Sequence, residues 1–153
     1  MASPELVTTQ SEEETFALGK TLAETLQPGT FVLLHGDLGA GKTAFVRGMA
    51  SGLGANPDDV SSPTFVLIQH YKGRVPLTHV DLYRLDSAAA VDDLGLEEMA
   101  SGGVVAIEWA ERLPQSPDGA VTVKIDDVGG DTRRIAIHHS QIRGLPDSRI
   151  ENP

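Results

Sequence analysis

The chain has 153 residues, no cysteine, and 12 lysines and arginines against 22 aspartates and glutamates, a formal charge of −10. That length fits a single domain, and the missing cysteines exclude disulfides, thiolate metal sites and cysteine nucleophiles. The negative charge disfavours unaided binding to a phosphate backbone, so any role on RNA calls for a second protein.

From the amino terminus, Glu5 to Thr8 reads as a short strand. Ser11 stands three residues before Glu14 and ahead of Phe16, Leu18, Leu22 and Leu26, a capping-box start to an amphipathic helix. Residues 1–14 lack the basic start and apolar core of a leader, and no apolar stretch reaches bilayer length, so a soluble, cytoplasmic protein is expected. Phe31 to His35 is a compact apolar run suited to a strand covered on both faces. It ends abruptly at Gly36. Behind the glycines, Phe45, Val46, Met49 and Leu53 recur at helical spacing. Ser61 to Thr64 reads as a loop, and Phe65 to Tyr71 as a strand with Val75 to Val80 as its hairpin partner. Ala88 to Met99 reads as one helix and Val104 to Ile107 as a buried strand. Val121 to Ile125 and Arg134 to His138 form a second hairpin around Gly129-Gly130. Residues 1–139 make the domain, and 140–153 read as a loosely ordered tail.

Between the central strand and its helix stands Gly36-Asp37-Leu38-Gly39-Ala40-Gly41-Lys42-Thr43, a G-x-x-x-x-G-K-T pattern. Polyphosphate binding needs many donors converging on a dense negative charge. The three glycines let the backbone wrap with its N–H groups inward, and the helix that follows, with Ala44 in its first turn, aims its positive end at the same place. Lys42 reaches β and γ oxygens, and the Thr43 hydroxyl is a magnesium ligand in such loops. Magnesium then wants a carboxylate at the end of a neighbouring strand. Asp81 and Glu108 both terminate apolar runs, and position alone does not divide metal ligation from orienting the attacking water between them. The only asparagines are Asn56 and Asn152, and neither begins N-K-x-D, which turns the expectation from GTP to ATP.

GDLGAGKT at 36–43, Ser62-Pro63-Thr64, Asp81-Leu82-Tyr83-Arg84 and Ile107-Glu108-Trp109, in this order, resemble the bacterial TsaE (YjeE) family over about residues 5–138. The resemblance implies an ATPase that works with TsaD and TsaB in the threonylcarbamoyl modification of adenosine 37 in tRNAs reading ANN codons, touching tRNA only through that complex. It makes Thr43 and Glu108 the magnesium ligands, gives Asp81 a role in hydrolysis, and makes Thr64 a switch-type hydroxyl sensing the γ-phosphate. Arg112 and Arg133 align loosely with positions near the nucleotide, with Arg134 a close rival to Arg133. Arg84 stands either at transition-state charge or in a salt bridge to Asp81 or Asp86. Trp109 is either core packing or an indole beside the site that helps dock a partner. Family members often follow that pair with proline, and Ala110 departs from this. His35, His79, His138 and His139 read as strand-end or surface residues, since magnesium prefers oxygen.

The expected architecture is an α/β fold of the phosphate-loop NTPase class, with a sheet that is parallel at its core, extended by antiparallel hairpins and flanked by helices. ATP would lie at the carboxyl edge of the strands. Two other functions share this loop. A small-molecule kinase would need a second substrate pocket, for which the stretch after the loop leaves little room. A nucleotide-gated binding module would hydrolyse ATP only incidentally.

Overall fold

A computed structural model describes residues 4–37, 41–60, 68–83, 85 and 87–139. Among them are seven strands, β1 (Glu5–Thr9), β2 (Phe31–His35), β3 (Ile68–Tyr71), β4 (Leu77–Asp81), β5 (Val104–Glu108), β6 (Val121–Gly129) and β7 (Thr132–His139). They form one sheet in the order β1-β7-β6-β2-β5-β4-β3. The four inner strands are parallel, since β2 pairs with β5 and β6 and β4 with β5. The outer pairs β3–β4, β6–β7 and β1–β7 are antiparallel. This is the mixed sheet expected of a P-loop NTPase fold.

Helices α1 (Glu12–Glu24), α2 (Lys42–Gly52), α3 (Ala88–Asp92) and α4 (Leu96–Ala100) cover the sheet. The central strand shows why its sequence is apolar from Phe31 to Leu34. Val32 and Leu34 join Leu22, Phe45, Val46 and Met49 in a core under α1 and α2, whereas Phe31 and Leu33 join Val91, Leu96 and Ala100 in a second core under α3 and α4. With both faces covered, no position from Phe31 to Leu34 is left for a polar side chain, and the polar His35 comes only at the strand's end. Helix α1 begins as its capping pattern requires. The Ser11 hydroxyl accepts from the Glu14 N–H at 3.1 Å, and the Glu14 carboxylate reaches back to the Gln10 N–H at 2.8 Å.

Helices α1 and α2 meet backbone to backbone. A β-carbon on Gly19 would lie 2.2 Å from the Phe45 carbonyl oxygen, and one on Gly48 would lie 2.0 Å from that of Phe16. Glycine is the only residue that fits either position. The opposite face is built differently. The single helix expected over Ala88 to Met99 is two five-residue helices, because Gly95 adopts φ 72° between them and starts α4. A left-handed residue cannot continue a right-handed helix, so the chain turns and restarts. The second hairpin is longer than its apolar pattern suggests, running out to Gly129 and Thr132.

Candidate active site

The carboxyl ends of the parallel strands put the sequence-selected residues on one edge. Leu34 of β2 lies in register with Glu108 of β5, and Glu108 with Asp81 of β4. The chain leaves β2 through Gly36 and Asp37 and re-enters described structure at Gly41, whose φ of 104° turns it into α2. Gly41 offers no side chain to cap that helix, unlike Ser11 before α1 and Ser87 before α3. The first-turn N–H groups of α2 therefore point toward the sheet edge with no side-chain cap. Lys42 and Ala44 are buried in that turn, and Thr43 is half-buried.

Lys42 links the loop to the carboxylates. Its ammonium donates to the Gly36 carbonyl at 2.7 Å and lies 3.6 Å from Glu108 Oε1. Only 8% of Lys42 and 7% of Glu108 is exposed, so water screens this pair weakly. The other oxygen of Glu108, Oε2, accepts from His79 Nε2 at 2.6 Å. His79 is fully buried in β4, which corrects the reading of it as a strand-end or surface residue. His35, by contrast, does end β2, and His138 and His139 end β7.

Burial pushes the Glu108 carboxyl up, but the hydrogen bond from His79 and the charges of His79 and Lys42 outweigh it and hold the group below its ordinary value of 4.5. A carboxylate depressed by folding contributes stability at pH above its unfolded value and loses that contribution as pH falls through its folded value. Metal-free protein is therefore expected to lose stability as pH drops below about 4.5, as read by urea midpoints. In Glu108→Gln this part of the acid loss should be absent. Asp81 goes the other way. Burial and the neighbouring Glu108 raise it above 3.8, against the Tyr83 N–H, which donates to its Oδ1 at 2.9 Å, and the charges of His79 and Lys42. Two carboxylates side by side are thus shifted in opposite directions by their surroundings, the proton on Asp81 favoured by burial and that on Glu108 disfavoured by His79 and Lys42.

Trp109 lies beside the site. Its ring centroid is 5.9 Å from the Lys42 ammonium, 4.9 Å from the Tyr83 ring and 5.7 Å from the Arg112 guanidinium. It is also the one non-glycine residue with positive φ among those described, at 61°, where the chain turns out of β5. Arg112 donates to the Leu85 carbonyl at 2.8 Å, which anchors it on this side of the loop. Arg133 stands on the other side, its Nε 3.7 Å from where a Gly41 β-carbon would be, lining a small hollow with Ser11, Thr15 and Asp131. Strand alternation separates it from its rival. Arg133 shares the face of Ile135 and Ile137 that packs under α1 and α2, and Arg134 points away from the loop. Leu38, Gly39, Ala40, Thr64 and Arg84 lie outside the described residues.

No cluster of three or more histidine or acidic side chains able to hold a metal by themselves occurs among the described residues. What is present, a buried ionised glutamate 3.6 Å from the Lys42 ammonium and, next to Lys42 in the chain, the half-buried Thr43 at the helix start, offers few but hard oxygen donors. That set suits magnesium, which takes most of its ligands from phosphates and water.

The family profile of "Threonylcarbamoyl adenosine biosynthesis protein TsaE" matches residues 9–135. The chain belongs to the TsaE family. A protein of Nostoc sp. named "tRNA threonylcarbamoyladenosine biosynthesis protein TsaE" is 47% identical over 118 residues, covering 73% of this chain and 72% of its own. Its namesake in Treponema pallidum is 39% identical over 130 residues, covering 84% and 96%, and that in Bacillus subtilis 43% over 130 residues, covering 83% and 80%. The crystal structure of Bacillus subtilis YdiB superposes with a TM-score of 0.69 at 36% identity, over 90% of this chain and 86% of that one. Membership in TsaE accounts for the four sequence blocks together, and the fold agrees. No helix among the described residues is long and apolar enough to cross a membrane.

Proposed function

We propose that this TsaE-family chain binds ATP with magnesium at residues 36–44 and hydrolyses it to sustain the threonylcarbamoyl modification of adenosine 37 in tRNAs reading ANN codons. It does so in the cytoplasm with TsaD and TsaB, and meets tRNA only through them. The observation that carries this reading is the Lys42–Glu108 pair, a buried ammonium and a buried carboxylate set together at the open start of a helix on the sheet's carboxyl edge. Two buried charges are a weak device for stability alone, because desolvation offsets most of their attraction. They make sense as groups held ready for a polyphosphate and a cation.

In this reading Lys42 and the first-turn N–H groups of α2, with Gly36, Asp37, Leu38, Gly39, Ala40 and Gly41, cradle the phosphates. Thr43 and Glu108 hold magnesium, which when bound supplies charge that neutralises the β and γ oxygens. Asp81, raised in proton affinity, orients the attacking water and takes its proton, and Thr64 senses the γ-phosphate. Arg112 and Arg133 flank the nucleotide on opposite sides of the loop. The sequence marks no arginine securely as a finger, so turnover in isolation is expected to be slow, with the partners completing the site.

Calorimetry with ATP and magnesium tests the core of this reading. The parent should take up one nucleotide, and Lys42→Ala should bind about 10–100-fold more weakly, the loss of charge-assisted hydrogen bonds. A well-folded parent that takes up no adenine nucleotide overturns it.

A further inference from the structure

His79 takes no part in the hydrolysis just described, yet it is fully buried at the centre of the site. The run from Leu77 to Val80 is otherwise suited to a strand covered on both faces, and leucine or valine would fill the same slot without a polar cost. The imidazole is not even fully satisfied, because Nδ1 has no hydrogen-bond partner among the described residues. Its other nitrogen makes a short contact, 2.6 Å from Glu108 Oε2. A carboxylate held in its ionised form only accepts, so the hydrogen in that contact sits on Nε2. The residue opposite His79 in the parallel register is Ala106, small enough to leave room for the ring to reach along the sheet to Glu108.

A glutamate side chain has three free torsions, and a ligand oxygen that wanders binds a cation poorly. Here one oxygen is tied by His79 and the other is turned to the loop, 3.6 Å from the Lys42 ammonium. We infer that His79 is a positioning residue, whose Nε2–H holds Oε2 of Glu108 so that Oε1 is presented to the magnesium–nucleotide site. This inference rests on the proposed magnesium-dependent nucleotide site.

The test compares the parent, His79→Leu and His79→Gln, each titrated with the β,γ-imido analogue of ATP, first in EDTA and then across a magnesium series. In His79→Leu the affinity without magnesium should match the parent, while the magnesium concentration giving half of the affinity gain should rise about 10–100-fold, as for lost outer-shell hydrogen bonds. His79→Gln, whose amide also donates, should recover part of that gain. A purely structural role would weaken binding equally with and without magnesium, and either that result or an unchanged magnesium dependence overturns the inference. A parent that binds no analogue at all takes down the nucleotide site itself, and this inference with it. Should His79→Leu fail to fold, nitrogen-15 spectra of histidine-labelled parent decide. Protonated Nε2 on His79, with its signal shifting when magnesium joins the analogue, supports the role. A bare Nε2 or an unmoved signal refutes it.

Discussion

Asp81→Ala is expected to keep ATP binding and to lose about 10²–10⁴-fold in phosphate release measured with TsaB and TsaD present, the range over which a positioned acid–base group acts. Binding survives because the phosphate-facing groups, Lys42 and the start of α2, are untouched and because a carboxylate next to Glu108 is removed rather than added. Cells carrying only this variant should also lose the tRNA modification. That second measurement separates hydrolysis as the working step from a nucleotide-gated module, in which turnover would vanish and the modification would persist. A small-molecule kinase would be revealed instead by phosphate transfer to a metabolite.

Gly48→Ala is expected to destabilise the fold by about 3 kcal/mol or more, at or beyond the upper end of ordinary overpacking. The new methyl would sit 2.0 Å from the Phe16 carbonyl oxygen, 2.8 Å from the carbon of that group and 2.9 Å from the Lys20 nitrogen, all main-chain atoms of α1. No rotamer change relieves such a contact, and α1 must move off α2. Alanine gains about 1 kcal/mol over glycine in helix propensity, too little to offset this. The thermal midpoint should fall by roughly 6–12 °C for a chain of this size. Gly102→Ala is the control, because nothing lies within 4 Å of its β-carbon and its midpoint should stay near that of the parent.

The site was legible where chemistry follows local order. GDLGAGKT needs only a strand before it and a helix after it, and Phe31–His35 and Lys42–Gly52 supply both. Ser11 with Glu14 announced α1 for the same reason, since a cap is a contact between residues three apart. What depends on contacts across the sheet was less visible. The direction in which Asp81 and Glu108 are each shifted turned on Lys42, His79 and Tyr83 converging from three elements. His79 was misread because a lone histidine in a strand resembles an edge residue. The available signal was its place between the apolar residues Leu77 and Val80, a stretch in which every residue is buried. Gly95 carried a similar warning, as the glycine at which a twelve-residue helical pattern breaks in two. Arg133 was separable from Arg134 only once β7 had a known side facing α1 and α2.

The two faces of the sheet differ in stiffness. On one side the nucleotide-loop helix is welded through paired glycines to its neighbour, main chain against main chain, with no layer of side chains to shear. On the other lie two single-turn helices joined at a left-handed hinge. Rearrangement is easier for short, separately started helices than for a helix pair in main-chain contact, so among the described residues the second face is the better suited to it. In the proposed cycle, a change at the phosphates would meet a firm backing on one face of the sheet and a segmented pair of helices on the other, through which it could reach a neighbour.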